Sequence, residues 1–133
     1  MLSREDGVLN ETPMEVEKIL APIAEVTLGA AFERVKDAIE TNWSTNPLKW
    51  PSELQYFRHC RNAASHGNQF HVYLYNRLPG IDPANPPTWR SSVMPDANTM
   101  NARELIGDWL SIGDIPILLG DVETILTQNS VAL

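Results

Sequence analysis

The sequence predicts an all-α domain, a bundle of four or five helices with one irregular excursion, and three observations carry the prediction. Apolar residues recur at helical spacing through 16, 19, 20, 23, 26, 30, 31, 35, 38 and 39, and again through 115, 118, 119, 122, 125 and 126. Thr12-Pro13-Met14-Glu15 is a capping box with proline at the first helical position, which marks where the first run begins. Gly67-Asn68 supplies residues that tolerate left-handed backbone and so marks where another run stops.

Taken in order, residues 1–11 are polar and aperiodic and read as a flexible N-terminus, with a single domain from 12 to 133. Pro22 lacks the amide that a continuous helix needs, so the first run divides into a short helix to about Leu20 and a long one to about Asn42. Thr41 to Trp50 contains Asn46-Pro47 and is a connection, flanked by Trp43 and Trp50, which are expected to lid the core. A second helix is expected from Ser52 to His66, with Leu54, Phe57, Arg61 and Ala64 on one stripe. Its small Ala63-Ala64-Ser65 step allows another backbone close. Phe70 to Tyr75 has strand character, with Thr88 to Val93 as the expected partner, and Leu78 to Pro87 between them holds four prolines. This excursion after the helix is either a long Pro-rich loop or a small β-hairpin. A short helix is expected from Asn101 to about Leu110, and a last one from Asp114, which is expected to cap it.

With 43% apolar residues, a chain of 133 supports one core. The first residues are too polar for a signal peptide and no apolar run is long enough to span a bilayer, so a soluble, cytoplasmic protein with no membrane partner is expected. The single Cys60 cannot form an internal disulfide. A net charge of -7 argues against tight, non-specific coating of nucleic acid. The charge is uneven, however. Residues 54–95 hold four arginines against Asp82 alone, while the rest of the chain is strongly acidic. A locally basic site on an acidic body suits transient engagement of an anion.

The chemistry concentrates in Phe57-Arg58-His59-Cys60-Arg61-Asn62-Ala63-Ala64-Ser65-His66-Gly67. Arg61 and His66 point about 140° apart on an ideal helix, yet His66 is at its end and arginine has a long stem, so both reach the space beyond the terminus. Asn62 lies four residues before His66, where its amide can fix the imidazole's orientation. Histidine can take and give a proton near neutral pH, and an arginine offers a forked charge suited to phosphate oxygens. These are the parts needed to cleave RNA without a metal or other cofactor. The plainer roles are an arginine that caps carbonyls or pairs with an acid, and a histidine favoured by the helix dipole. A thiol nucleophile at Cys60 lacks an oxyanion framework, and His59, Cys60, His66 and His71 lack the paired spacing of zinc ligands. Asp108, Asp114 and Asp121 share no common face, which leaves no metal site.

An arginine five residues before a histidine is a weak signal alone. The longer string Arg-Asn-Ala-Ala-Ser-His-Gly at a helix end, in a small helical domain, resembles the Arg-polar-x-x-x-His motif of the HEPN superfamily. With Trp89-Arg90 further on, it looks like the plasmid-encoded branch. The resemblance implies a HEPN-like bundle that is a homodimer and a metal-independent endoribonuclease of toxin–antitoxin or defence type. It implies that Arg61 and His66 are the catalytic pair, with Asn62 as the polar residue of the motif, in a cleft shared by two copies. Arg58 and Arg90 are secondary candidates for contact with the RNA substrate. The alternative is a non-catalytic HEPN domain, a dimeric interaction or nucleotide-binding module that partners an antitoxin or a nucleotidyltransferase.

Overall fold

A computed structural model of the chain describes residues 16, 18–72, 80–101 and 103–129. The capping box at 12–15 and the N-terminal segment before it lie outside these residues. Val16, Lys18 and Ile19 are helical, the backbone turns at Leu20, and α1 then runs over Ala21–Asn42 with Pro22 in its first turn, where the missing amide costs nothing. The expected break therefore falls at Leu20. One face of α1 is buried through Ala24, Leu28, Phe32, Val35 and Ile39, steps of three and four that keep one stripe on the core.

The connection tightens into a single 3-10 turn over Pro47–Lys49, where the Asn46 side chain accepts from the Leu48 amide at 3.1 Å. The Trp50 indole donates to the Ser44 carbonyl at 2.7 Å, and its buried ring lids the core as expected. Helix α2 spans Ser52–Ser65, with His66 as its C-terminal cap residue. Gly67 at φ 73° and Asn68 at φ 65° then reverse the chain, two successive left-handed residues of the types that accept that backbone.

More than the expected stripe of α2 is buried. Every residue from Leu54 to Cys60 is inside, Gln55, Arg58 and His59 included, because α2 is the central helix. It packs against α1, against a hairpin of β1 (Thr88–Trp89) and β2 (Ser92–Val93), and against the last helix. Gln55 satisfies its amide on the Trp50 carbonyl at 2.8 Å, and Tyr56 shares its hydroxyl with Ser92 at 2.8 Å while accepting from the Trp109 indole at 2.9 Å. Burial pushes the Tyr56 hydroxyl and the Cys60 thiol well above their ordinary ranges, so both stay protonated.

The remaining elements depart from expectation in two places. The strand partner of 88–93 is internal: Thr88 pairs with Val93 and Trp89 with Ser92, antiparallel around Arg90-Ser91, with Arg90 at φ 56°. Phe70 and Val72 are buried and pair elsewhere. The Phe70 amide donates to the Arg103 carbonyl at 3.1 Å, and the Asn101 side-chain amide bridges the Val72 backbone. The rest of the expected strand, 73–75, lies outside the described residues. The second departure is 101–110. The short helix comes earlier, as α3 over Ala97–Met100, capped by Asp96 accepting from the Thr99 amide at 2.7 Å. Residues 103–110 are turns pinned by tertiary contacts: the Asn68 amide clips both backbone groups of Ile106 at 2.8 and 3.2 Å, Asp108 takes a two-pronged ion pair from Arg103, and Gly107 sits at φ 100°. A capping-box spacing cannot hold a helix against those anchors.

Helix α4 spans Asp114–Gln128 and buries Ile115, Leu118, Val122 and Leu126. The N-cap is Gly113, with no side-chain capping bond, so Asp114 is not the cap expected of it; it is the first helical residue, and its carboxylate accepts from the Ser111 amide at 2.9 Å. The fold is thus mostly helical with one small antiparallel hairpin, and no described helix is long and apolar enough to cross a membrane.

Candidate functional site

The crossing of α1 and α2 leaves an open cleft of about 550 Å³. Helix α2 contributes Arg58, Arg61, Asn62 and His66 to it, helix α1 contributes Phe32, Lys36 and Glu40, and the connection closes one end with Thr45 to Pro47 and Trp50. Four of the five residues singled out in the sequence therefore share one cavity. Arg90 does not join them. Its guanidinium is committed to Asp121 on α4 at 2.9 and 3.3 Å, the same carboxylate that takes the Trp89 indole at 2.7 Å, which pins the hairpin turn to the bundle. That pairing holds the Asp121 carboxyl below its usual range.

Arg61 is held on three sides. Its guanidinium carbon lies 5.0 Å from the centre of the Phe32 ring, one terminal nitrogen donates to the Asn62 side-chain oxygen at 3.1 Å, and the other reaches the Glu33 carboxylate at 3.4 Å. Its Nε is buried and has no hydrogen-bond partner among the described residues. Three contacts thus fix the fork while one donor remains unused. The Asn62 side-chain oxygen consequently serves Arg61, not His66 as its four-residue spacing implies, because a guanidinium one residue away is a strong, charged donor.

His66 is exposed at the end of α2, where the left-handed Gly67 stops the helix and aims the ring at the cleft mouth. Its closest aromatic neighbour is His71, edge-on with ring centres 5.7 Å apart. Among the described residues the imidazole makes no hydrogen bond, so it is free to meet a substrate.

Deeper in the cleft Arg58 is only 7% exposed, and no carboxylate or hydrogen-bond acceptor among the described residues pairs with it. Desolvation, and then the neighbouring positive Arg61, lower its pKa from the ordinary arginine value, the signature of a guanidinium placed where its charge is unwelcome without an anion. His59 lies on the inner side of the same turn. Burial, reinforced by Arg58, drives its pKa down to about 3, so it is neutral and takes no part in proton transfer at the cleft.

Phe32, Glu33 and Lys36 carry no signal in the sequence, since nothing local says that α1 crosses α2 at that turn. Two other depressions offer less. One of about 170 Å³ between α1 and α4 is lined mainly by aliphatic side chains, and one of about 330 Å³ beside Gly67 is edged by the Lys18–Glu104 ion pair at 2.7 Å. Among the described residues no group of three or more His, Cys, Asp or Glu is arranged to hold a metal ion. Compared with protein-family models, with curated proteins and with solved structures, the chain finds no match.

Proposed function

We propose that the chain is a HEPN-type, metal-independent endoribonuclease of toxin or defence class, acting as a homodimer. The observation that carries the reading is the meeting of Arg61 and His66 in one cleft, with the Arg61 guanidinium pre-positioned by Phe32, Asn62 and Glu33. In this mechanism an imidazole takes the proton from the ribose 2′-hydroxyl, whose oxygen attacks the adjacent phosphorus. The P–O5′ bond breaks, the leaving oxygen acquires a proton, and the products are a 2′,3′-cyclic phosphate and a 5′-hydroxyl. Arg61 stabilises the extra negative charge on the phosphoryl oxygens as the transition state forms. One copy supplies one imidazole at this cleft, and base and acid work together calls for two, so a second copy, or His71 beside His66, completes the set.

A second copy also answers an exposed stripe on the outer face of the helical run. Val16 and Ile19 before the turn at Leu20, and Ile23 and Val26 in the first turns of α1, are 45, 63, 55 and 71% exposed, apolar surface that a second copy would cover. Two turns beyond Val26 the same face carries Glu33, the partner of Arg61, so a copy seated on the stripe would reach the site. The non-catalytic alternative, a nucleotide-binding module, is favoured by the lack, among the described residues, of a hydrogen bond fixing the His66 tautomer.

The test is cleavage of a single-stranded RNA in the presence of a chelator, with the product ends identified. The wild type is expected to leave 2′,3′-cyclic phosphate, and Arg61→Ala and His66→Ala are each expected to lose about 10²–10⁴-fold in rate while remaining folded. Cleavage that requires magnesium, or that survives in both variants, overturns the reading.

A further inference from the structure

We propose that Arg58 anchors a second phosphate of the RNA strand, next to the one held by Arg61. The inference rests on the ribonuclease reading for its ligand, but its evidence is separate. Arg58 is 7% exposed and no described residue accepts from its guanidinium, so a permanent charge that desolvation disfavours meets the outside only through the cleft. An anion entering the cleft that Arg58 lines would supply the partner that the described residues do not.

The cleft selects an anion. Lys36, Arg58 and Arg61 face it against Glu40, a local positive balance on a protein whose net charge is -7. The Arg58 guanidinium faces the cleft with no described acceptor, and the Arg61 guanidinium stands one turn away with its terminal nitrogens on Asn62 and Glu33. Forked guanidinium groups one helical turn apart match the oxygens of phosphate better than a single carboxylate.

The spacing selects two phosphates. Eight residues of helix separate Arg58 from His66, about 12 Å along the axis, whereas Arg61 lies between them. A phosphate attacked beside His66 is within reach of Arg61 and beyond that of Arg58. The strand therefore runs along α2, with its reacting phosphate at the helix end and a neighbouring one over Arg58.

Calorimetric titration of the full chain with inorganic phosphate, with 5′-AMP and with an uncleavable 2′-O-methyl hexaribonucleotide tests this. The wild type is expected to bind all three, the hexamer most tightly. Arg58→Met should weaken each at least about tenfold, the loss of one charge-assisted contact, with thermal stability unchanged or raised because an unpaired buried charge has gone. Arg58→Lys, which keeps the charge without the fork, should fall between and decides the matter if Arg58→Met does not fold. Hexamer affinity within twofold of wild type in Arg58→Met, or no saturable binding by the wild type, overturns the anchor, and equal affinity for 5′-AMP and hexamer overturns the strand. RNA cleavage with unchanged KM in Arg58→Met would sink the anchor and leave the ribonuclease standing. Arg58-dependent hexamer binding without cleavage would do the reverse.

Discussion

Replacing His59 by leucine should remove most of the protein's sensitivity to mild acid. His59 is 4% exposed, and its pKa falls from 6.5 to about 3 on folding. The folded value is the lower one, so between these limits the unfolded chain binds a proton that the folded chain refuses. Stability is therefore complete above about pH 6.5 and is lost as pH falls towards 3. Each unit is worth about 1.4 kcal/mol, so about 2 kcal/mol should be gone by pH 5, with a ceiling near 5 kcal/mol at pH 3. Against the roughly 5–15 kcal/mol typical of a whole domain this is a large loss. Urea denaturation at a series of pH values measures it directly. With a slope of about 1–3 kcal/mol per molar, the midpoint should drop by about 1 M between pH 7 and pH 5. The surface carboxylates act in a different window, because Asp108 and Asp121 are held below their ordinary 3.8. In His59→Leu the midpoint should stay nearly level down to pH 5. A wild type that is flat over that range, or a leucine variant that declines as steeply, would refute the burial argument.

Two further outcomes follow from the cleft and the stripe. Glu33→Gln releases Arg61 from an ion pair that is 3.4 Å long and has a 69% exposed carboxylate, worth about 0.2–1 kcal/mol, so KM for RNA should drop by up to about fivefold with kcat unchanged; a rise in KM would contradict competition between Glu33 and phosphate. Val26→Glu should convert a dimer to monomers in sedimentation velocity while leaving the helical content unchanged, since the side chain is exposed in a single copy; a wild type that sediments as a monomer at all concentrations would remove the stripe from the interface.

Much of the helical frame could be read from residues alone because its signals are local. Pro22 in the first turn of α1, Gly67-Asn68 past the end of α2 and Asp114 at the start of α4 each act within a few residues of where they sit. The hairpin partner and the 101–110 segment could not be read in the same way. Strand pairing inside 88–93 competes with any pairing to Phe70, and both look alike in sequence. The helix expected after Asn101 loses to the Asn68 clip, whose two ends are 38 residues apart. At the site, Arg61 and His66 could be placed in one space from helix rise and side-chain length. The partner of Asn62 could not, because it depends on which donor the amide meets first. Phe32, Glu33 and Lys36 were hidden for the reason that hides most tertiary contacts: two amphipathic helices do not reveal where they cross.

The position of α2 has a consequence for how the protein tolerates change. From Phe57 onward its residues interleave opposite duties, with Phe57, Cys60 and Ala64 holding the interior together and Arg58, Arg61 and Asn62 facing the cleft between them. No segment can be exchanged to alter the chemistry while sparing the fold, as a surface loop could be. Substitutions that silence the protein and substitutions that unfold it will interleave along fourteen residues, and a mutational scan must measure abundance and activity separately to tell them apart.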